Sequence, residues 1–230
     1  MAISPPLAAE AARLAALDGP GQLEAALTGP LAGQIALVSS FGAESAVLLH
    51  LVSQIDPATP VIFLNTLKLF PETLAYRDAL AARLGLTNIQ SHQPGDISAH
   101  DPDGTLWSRD PDSCCFLRKV VPLDAALAPF AGWINGRKRY QLQGRATVPT
   151  AELDGPHLKL TPLAHWTAQD IAGHMKAHAL PAHPLVARGF ASIGCAPCTA
   201  PGTADDPRSG RWAGAPKSEC GIHTRPKASA

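Results

Sequence analysis

The stretch IALVSSFGAESAVLLHLVSQ, residues 35–54, decides the fold. It begins with a short apolar run, residues 39–43 form a turn rich in small residues, and the part from Glu44 to Gln54 has apolar side chains at helical spacing. We therefore predict a strand, a loop and a helix in succession. Backbone N–H groups in such a loop can bind phosphate or sulfate at the start of the helix. The same residues are also ordinary turn formers, so a plain turn remains an alternative.

The same alternation continues on the C-terminal side of this stretch. An apolar run spans Val61 to Leu64, a helix is predicted from Pro71 to a stop at Gly85, and residues 88–91 are a third candidate strand. Residues 133–135 predict a further short strand. Alternating strands and helices indicate an α/β fold with a mostly parallel sheet, and ligands bind such sheets beyond the carboxyl ends of the strands.

Two later helices carry start signals. Ser113 is the predicted N-cap of a helix that opens at Cys114 and is interrupted at Pro122. Thr167 forms a capping-box variant with the acidic residue three positions later, before a helix over residues 171–179.

Composition divides the chain into three predicted parts. Residues 1–30 form a peripheral N-terminal helical region, and residues 31–200 form the α/β domain. Residues 201–230, in which Gly, Pro, Asp and Arg are frequent, form a flexible C-terminal segment. We therefore expect one main domain with two attachments.

The overall charge argues against two classes of partner. Lys plus Arg and Asp plus Glu number 19 each, so no net field attracts the protein to nucleic acid or to an anionic membrane. No apolar run is long enough to span a bilayer, and no secretory signal stands at the N-terminus. We expect a cytoplasmic protein with reduced thiols.

The five cysteines divide into a group of four and a single one. The group consists of Cys114, Cys115, Cys195 and Cys198, and the single cysteine is Cys220. Four thiolates can hold a metal ion or an iron–sulfur cluster, although a buried or redox-active pair without metal is the alternative. Cys220 would then be free for chemistry, unless it is an idle surface thiol or part of a disulfide.

Basic residues gather at three places where they could meet an anion. Arg137, Arg139 and Arg145 follow the strand at residues 133–135, Arg208 and Arg211 precede Cys220, and Lys119 stands four residues after Cys115, on the same face of the predicted helix. Solvated surface charge is the alternative for each. Eight histidines have no metal-type spacing together and are predicted to be structural or surface residues: His50, His92, His100, His157, His165, His174, His178 and His183.

Eight short motifs follow one another in a fixed order. They are SSFGAE at 39–44, LFPET at 69–73, CCFLRK at 114–119, WING at 133–136, HPL at 183–185, SIGCAPC at 192–198, RSGRW at 208–212 and ECGIH at 219–223. In these motifs the chain resembles the assimilatory sulfonucleotide reductases, specifically the bacterial adenylyl-sulfate (APS) reductases with a four-iron four-sulfur (4Fe-4S) cluster. The resemblance covers residues 35–223.

The resemblance implies an adenine-nucleotide α-hydrolase-like, Rossmann-like fold and a two-step reduction of adenosine 5′-phosphosulfate in sulfate assimilation and cysteine biosynthesis. Cys220 attacks the sulfur of the sulfate group, AMP leaves, and a thiol of thioredoxin or a glutaredoxin-like donor then releases sulfite. It also implies roles for the other site residues. Lys119 and His223 assist Cys220 in catalysis; the substrate is bound by Ser39, Ser40, Gly42, Arg137, Arg139, Arg145, Arg208 and Arg211; the 4Fe-4S cluster is ligated by Cys114, Cys115, Cys195 and Cys198.

One motif departs from the family. Where the family usually has Leu-Asp-Thr-Gly after its second strand, residues 64–67 read Leu-Asn-Thr-Leu, which bears on the adenosine-binding geometry. The four cluster cysteines favour APS over the 3′-phosphorylated nucleotide (PAPS), because relatives that use PAPS commonly lack them.

Three other functions are alternatives to APS reduction. They are PAPS reduction, tRNA thiolation with ATP, and a non-enzymatic module that holds zinc or a cluster. A tRNA-thiolation enzyme would normally carry Ser-Gly-Gly-x-Asp-Ser at the first loop, where this chain has SSFGAE. The sequence leaves the oligomeric state open, and a homo-oligomer is compatible with it.

Overall fold

A computed structural model describes residues 6–141, 143–203, 206, 208–213 and 217–223. The strands are β1 (Ile35–Val38), β2 (Val61–Leu64), β3 (Ile89–His92), β4 (Gly132–Ile134), β5 (Ala151–Asp154) and β6 (His157–Leu160). The helices are α1 (Leu7–Ala15), α2 (Gly19–Thr28), α3 (Ser45–Ile55), α4 (Pro71–Leu84), α5 (Leu106–Arg109), α6 (Pro111–Cys115), α7 (Val121–Leu127) and α8 (Ala168–Ala177). A π-helical turn, Phe116–Val120, joins α6 to α7, and short 3₁₀ turns lie at Arg139–Gln141, Gln143–Arg145, Pro184–Arg188, Ala196–Cys198 and Gly221–His223.

The strands of the described chain form one sheet in the order β3-β2-β1-β4-β6-β5. All neighbours are parallel except β5 and β6, which form an antiparallel hairpin. The predicted α/β fold with a mostly parallel sheet is confirmed. The chain winds outward from β1 to β3 and then returns to place β4 on the other side of β1, so a crevice opens between the carboxyl ends of β1 and β4.

Alternate side chains of the central strands enter two different cores. Leu37 and Phe63 join the larger core, whereas Ala36, Ile62 and Trp133 join a smaller core on the opposite face. Both faces of the sheet are therefore covered, which explains why β1 and β2 are continuously apolar rather than alternating.

The N-terminal residues are helical, as predicted, in the form of two helices that both contribute to the larger core. Leu14 of α1 and Leu23 of α2 are completely buried there. The division at residue 30 between an N-terminal part and the α/β domain stays a prediction. None of the described helices combines the length and the apolar character needed to cross a bilayer.

The cysteine-bearing helix differs from its prediction at both ends. Its N-cap is Asp110, not Ser113, because the Asp110 carboxylate accepts the backbone N–H groups of Asp112 and Ser113 at 3.1 and 3.0 Å. The predicted interruption at Pro122 is also wrong. Pro122 falls in the first turn of α7, directly after the wide π turn, where a missing N–H breaks no regular α-helical bond.

Other elements follow the prediction more closely. Helix α4 begins at Pro71 and ends at Leu84, and it is capped by Gly85, which adopts the left-handed conformation at φ 66°. Thr167 forms the capping box of α8, although that helix ends at residue 177 instead of 179. The β5–β6 hairpin was not predicted from the sequence.

Candidate active site

A cavity of about 420 Å³ lies at the carboxyl ends of the central strands. Its wall includes Ser39 after β1, Leu64 at the end of β2 and Asn135 after β4. The cavity thus occupies the crevice where the strand order reverses, the usual ligand position in open parallel sheets. Its volume is in the range of pockets that bind nucleotide-sized molecules.

The loop between β1 and α3 forms one wall of the cavity. Ser39, Ser40 and Gly42 all line it. Ser39 Oγ accepts the backbone N–H of Phe41 at 3.2 Å, and Phe41 holds a left-handed backbone at φ 48°. The buried Phe41 ring contacts Phe63 edge-on at 5.5 Å, which anchors the side chain against this unfavourable backbone conformation. The loop therefore delivers three predicted substrate-binding residues to the start of α3.

Glu44 connects this loop to the loop after β4. Its carboxylate accepts hydrogen bonds from Lys138 Nζ at 2.7 Å, Tyr140 Oη at 2.6 Å and Gln141 Nε2 at 2.7 Å. Burial alone would raise the pKa of Glu44, but the Lys138 charge and these hydrogen bonds hold it below its ordinary value. The sequence did not predict that these three residues bind Glu44, although Lys138 stands between Arg137 and Arg139, which are predicted to bind the substrate. Lys138 is already neutralised by Glu44.

Four of the five arginines that are predicted to bind the substrate lie in the cavity wall. They are Arg137, Arg145, Arg208 and Arg211. Gly194 makes room for the last of these, because a Cβ at Gly194 would lie 2.3 Å from an Arg211 guanidinium nitrogen. Arg139 is not brought to the wall; its Nε and Nη2 donate to the Val148 carbonyl at 3.0 and 2.9 Å.

Four cysteines line a second, smaller pocket beside the cavity. They are Cys114, Cys115, Cys195 and Cys198. The end of α6 supplies the first two, and the chain around the 3₁₀ turn Ala196–Cys198 supplies the others. This turn is fixed by a hydrogen bond from the Ala196 N–H to the Lys68 carbonyl at 2.7 Å. Residues about eighty positions apart thus converge on one small volume.

The thiols of this pocket differ in their acidity. Burial raises the pKa of Cys115 to about 11, and burial also raises the pKa of Cys114 and Cys198. Burial opposes ionisation of Cys195 as well, but Lys119, the Thr66 hydroxyl at 3.2 Å and Arg211 together bring its pKa below the ordinary value.

The donor set fits a group that prefers thiolate ligands. No described cysteine is in a disulfide. Four sulfurs around one pocket suit zinc or an iron–sulfur cluster, and binding such a group would supply the energy to remove the thiol protons that burial retains. Arg118 and Lys119 also line the pocket. Arg118 is already paired with Asp101 at 2.5 Å, so of these two cations it is Lys119 that can balance the negative charge of a thiolate-ligated group.

Lys119 lines both the cavity and the cysteine pocket. Burial alone would lower its pKa, but the surrounding thiols of Cys195, Cys220 and Cys115 raise it above the ordinary value of lysine. Lys119 is therefore a fixed cation between the two compartments.

Cys220 lines the cavity but not the cysteine pocket. Its neighbours on either side are anchored: Glu219 accepts two hydrogen bonds from the Arg145 guanidinium, and the His223 ring stacks on Trp133 at 5.8 Å with 9° between the planes. Burial alone would raise the pKa of Glu219, but Arg145 and Arg208 hold it below its ordinary value. The described segment 217–223 is thus docked over the cavity, with its thiol facing the same space as the arginines.

Residues 64–67, where the sequence departs from the family motif, form a turn beside the cavity. Asn65 Oδ1 accepts the backbone N–H of Leu67 at 3.1 Å, and Leu67 occupies the left-handed region at φ 60° with 56% of its surface exposed. Thr66 lines the cavity, and its carbonyl accepts Arg118 Nη1 at 3.0 Å. The turn therefore keeps a conformation that favours glycine, although leucine stands there.

Comparison with known proteins gives a consistent assignment. Residues 34–201 match the phosphoadenosine phosphosulfate reductase domain. The chain is 55% identical to an adenosine 5′-phosphosulfate reductase of Mesorhizobium japonicum, over 83% of this chain and 76% of that protein. It is 51% identical to a protein of the same name from Chelativorans sp., over 83% and 79% of the two chains.

A solved structure supports the fold. The phosphoadenylyl-sulfate (PAPS) reductase of Candida auris, solved as a phosphate complex, superposes with a TM-score of 0.70 over 87% of this chain and 100% of that one, at 24% identity. The adenine-nucleotide α-hydrolase-like architecture expected from the motifs is thereby confirmed.

Proposed function

Because this chain belongs to the phosphoadenosine phosphosulfate reductase family, we propose that it reduces adenosine 5′-phosphosulfate to sulfite and AMP in sulfate assimilation and cysteine biosynthesis. Two relatives at 55% and 51% identity carry the name of this activity. The observation that best supports the assignment is spatial. Four cysteines share the smaller pocket, and Cys195 also lines the cavity, whereas Cys220 alone among the described cysteines lines the cavity only.

Cys220 is the nucleophile of the reaction. Its Sγ attacks the sulfur of the sulfate group, the bond from that sulfur to the phosphate oxygen breaks, and AMP leaves with the electron pair of that bond. The product on the protein is a Cys220 S-sulfonate. One thiolate of a dithiol donor then attacks Cys220 Sγ, the bond from Sγ to the sulfonate sulfur breaks, and sulfite leaves with the electron pair of that bond. The second thiolate of the donor attacks its partner sulfur in the resulting mixed disulfide and releases the Cys220 thiolate, so the donor has supplied two electrons and ends as a disulfide.

The cations around the cavity bind and polarise the anionic substrate. Arg137, Arg208 and Arg211 supply planar donors suited to phosphate and sulfate oxygens. Arg145 lines the same cavity, adds its positive charge there and donates a hydrogen bond to Glu219. Lys119 lines the cavity together with Cys220 and opposes the negative charge that develops on the sulfate. His223, stacked on Trp133, positions the nucleophile. Ser39, Ser40 and Gly42 receive the phosphosulfate.

The four-cysteine pocket holds a 4Fe-4S cluster. Cys114, Cys115, Cys195 and Cys198 are its ligands, and the cluster, when bound, supplies a polarising iron–sulfur group beside the cavity. Lys119, between the pocket and Cys220, keeps a positive charge next to both.

The thiol donor is thioredoxin or a glutaredoxin-like protein, and the enzyme works in the cytoplasm. All described cysteines are free thiols, as a reducing compartment requires. The C-terminal part, residues 201–230, carries the nucleophile between substrate and donor; its residues 204–205, 207, 214–216 and 224–230 lie outside the described residues.

A pair of variants separates the two cysteine roles. Cys220→Ser should lower sulfite formation from APS by more than about 10³-fold, because a serine oxygen is a poor nucleophile at neutral pH and its ester is not cleaved by a thiol. It should keep the iron and acid-labile sulfide of anaerobically purified wild type. Cys195→Ser should lose them. Normal turnover by Cys220→Ser would refute Cys220 as the nucleophile. Stoichiometric zinc without acid-labile sulfide in the wild type would refute the 4Fe-4S cluster.

PAPS reduction is the second candidate, because the superposed Candida auris protein is a PAPS reductase. The extra 3′-phosphate needs a cation beyond those that bind the phosphosulfate, yet four basic residues of the cavity wall are already paired with carboxylates: Lys138 with Glu44, Arg137 with Glu152, and Arg145 and Arg208 with Glu219. We therefore expect kcat/KM to favour APS over PAPS. A ratio that favours PAPS would reverse the substrate assignment and leave the Cys220 chemistry unchanged.

A further inference from the structure

Three histidines meet on the outer side of the helices that cover the larger core. His50 is on α3, and His174 and His178 are one turn apart at the end of α8. His50 Nδ1 lies 3.0 Å from His174 Nε2. The ring of His178 lies 4.4 Å, between centroids, from each of the other two rings. None of these residues lines the cavity or the cysteine pocket.

The distances are close to those of a metal site. One nitrogen from each ring can be chosen so that all three lie within 4.8 Å of one another. Tetrahedral zinc with Zn–N bonds of about 2.0–2.1 Å separates its ligand atoms by about 3.3 Å. Small side-chain rotations therefore bring the three nitrogens onto one ion, and the 3.0 Å pair is already at nearly the required spacing.

The surroundings also suit a ligand role. The Trp166 ring contacts the His174 ring edge-on, with 5.6 Å between the centroids, and so helps to hold it in place. His178 is exposed, so solvent can supply a fourth ligand.

We propose that His50, His174 and His178 bind one divalent transition-metal ion, Zn²⁺ in the first instance, and that this ion links α3 to α8. A group made of imidazoles alone selects zinc, nickel, copper or cobalt and disfavours calcium and magnesium, which require oxygen ligands. The site is separate from the four cysteines and independent of the proposed reductase reaction. The histidines have no metal-type spacing as a set, but His174 and His178 alone are four positions apart, which is the spacing of two ligands on one helix face. A ligand role for these residues replaces the structural or surface role expected from the sequence.

The test is a Zn²⁺ titration of the full chain, purified anaerobically with its cysteine-bound group in place, against a chromophoric chelator. Wild type should bind one additional ion. His178→Ala and His174→Ala should weaken that binding by at least about 100-fold, because loss of a direct ligand should cost no less than loss of a supporting group. His100→Ala removes an exposed histidine away from the group and should bind like wild type.

Two further readouts keep the result interpretable. Zn²⁺ at 100 times its Kd should raise the Tm of wild type by about 5 °C and leave that of His178→Ala unchanged; since the His178 side chain is exposed, this variant should fold. Co²⁺ should give ligand-field absorption without a thiolate charge-transfer band. The proposal would be overturned if wild type failed to bind Zn²⁺, or if both variants bound it as tightly as wild type. A thiolate charge-transfer band that persists in His174→Ala would also overturn it, because the added ion would then be bound by cysteine.

Discussion

At the scale of single residues, Leu67 is a leucine at a position whose backbone conformation favours glycine. Its φ of 60° is in the left-handed region, which costs an L-residue roughly 1–2 kcal/mol. The exposed leucine side chain and the Asn65 hydrogen bond are the compensations that the structure provides. The turn is therefore determined by its surroundings rather than by residue preference.

We predict that Leu67→Gly leaves the free energy of unfolding unchanged or raises it by up to about 1 kcal/mol. Relief of the backbone strain is partly offset by the greater freedom of glycine in the unfolded chain. Leu67→Ala is the control, because it removes the side chain and keeps the strain. Urea denaturation measures both; a loss above about 1 kcal/mol in both variants would mean that the leucine side chain contributes packing.

At the scale of elements, the end of α4 isolates the effect of backbone conformation. Gly85 caps the helix at φ 66°, and a Cβ built on it would meet nothing within 4 Å. Gly95 also has open space around its Cβ position but does not have a left-handed φ. The two glycines therefore differ in conformation and not in crowding.

Gly85→Ala should lower the free energy of unfolding by about 1 kcal/mol, whereas Gly95→Ala should leave it unchanged or raise it slightly. Chemical denaturation of the two variants beside wild type gives the comparison. Equal effects of both substitutions would show that the left-handed cap does not limit the stability of α4.

The elements that could be predicted are those whose signals are local. The apolar run and helical spacing at residues 35–54, Pro71 and Gly85 at the ends of α4, and the capping box at Thr167 each act within a few residues. The β5–β6 hairpin was missed because its strands mix charged with apolar residues, although the turn at Gly155 and Pro156 was a usable signal. The helix was wrongly predicted to break at Pro122, because proline is a local signal for a break whereas the π turn that precedes it has no simple sequence signature.

At the scale of the whole molecule, the site is assembled by contacts between distant segments. Glu44 meets Lys138, Arg145 meets Glu219, and Cys195 approaches Thr66 over separations of 94, 74 and 129 positions. Motif order could place the cysteines and arginines in one site, but it could not tell which cations are already paired. It also could not reveal that Arg139 points to a carbonyl outside the cavity wall.

The central claim is that the thiol over the cavity takes the sulfonate group, and it is tested most directly by trapping the intermediate. Wild type is incubated anaerobically with APS labelled in its sulfate sulfur, without any thiol donor, and the protein is digested without reductant. We predict one label per chain on the peptide that contains Cys220, with one AMP released per label. Label on any of Cys114, Cys115, Cys195 or Cys198, or release of AMP without labelled protein, would contradict the account.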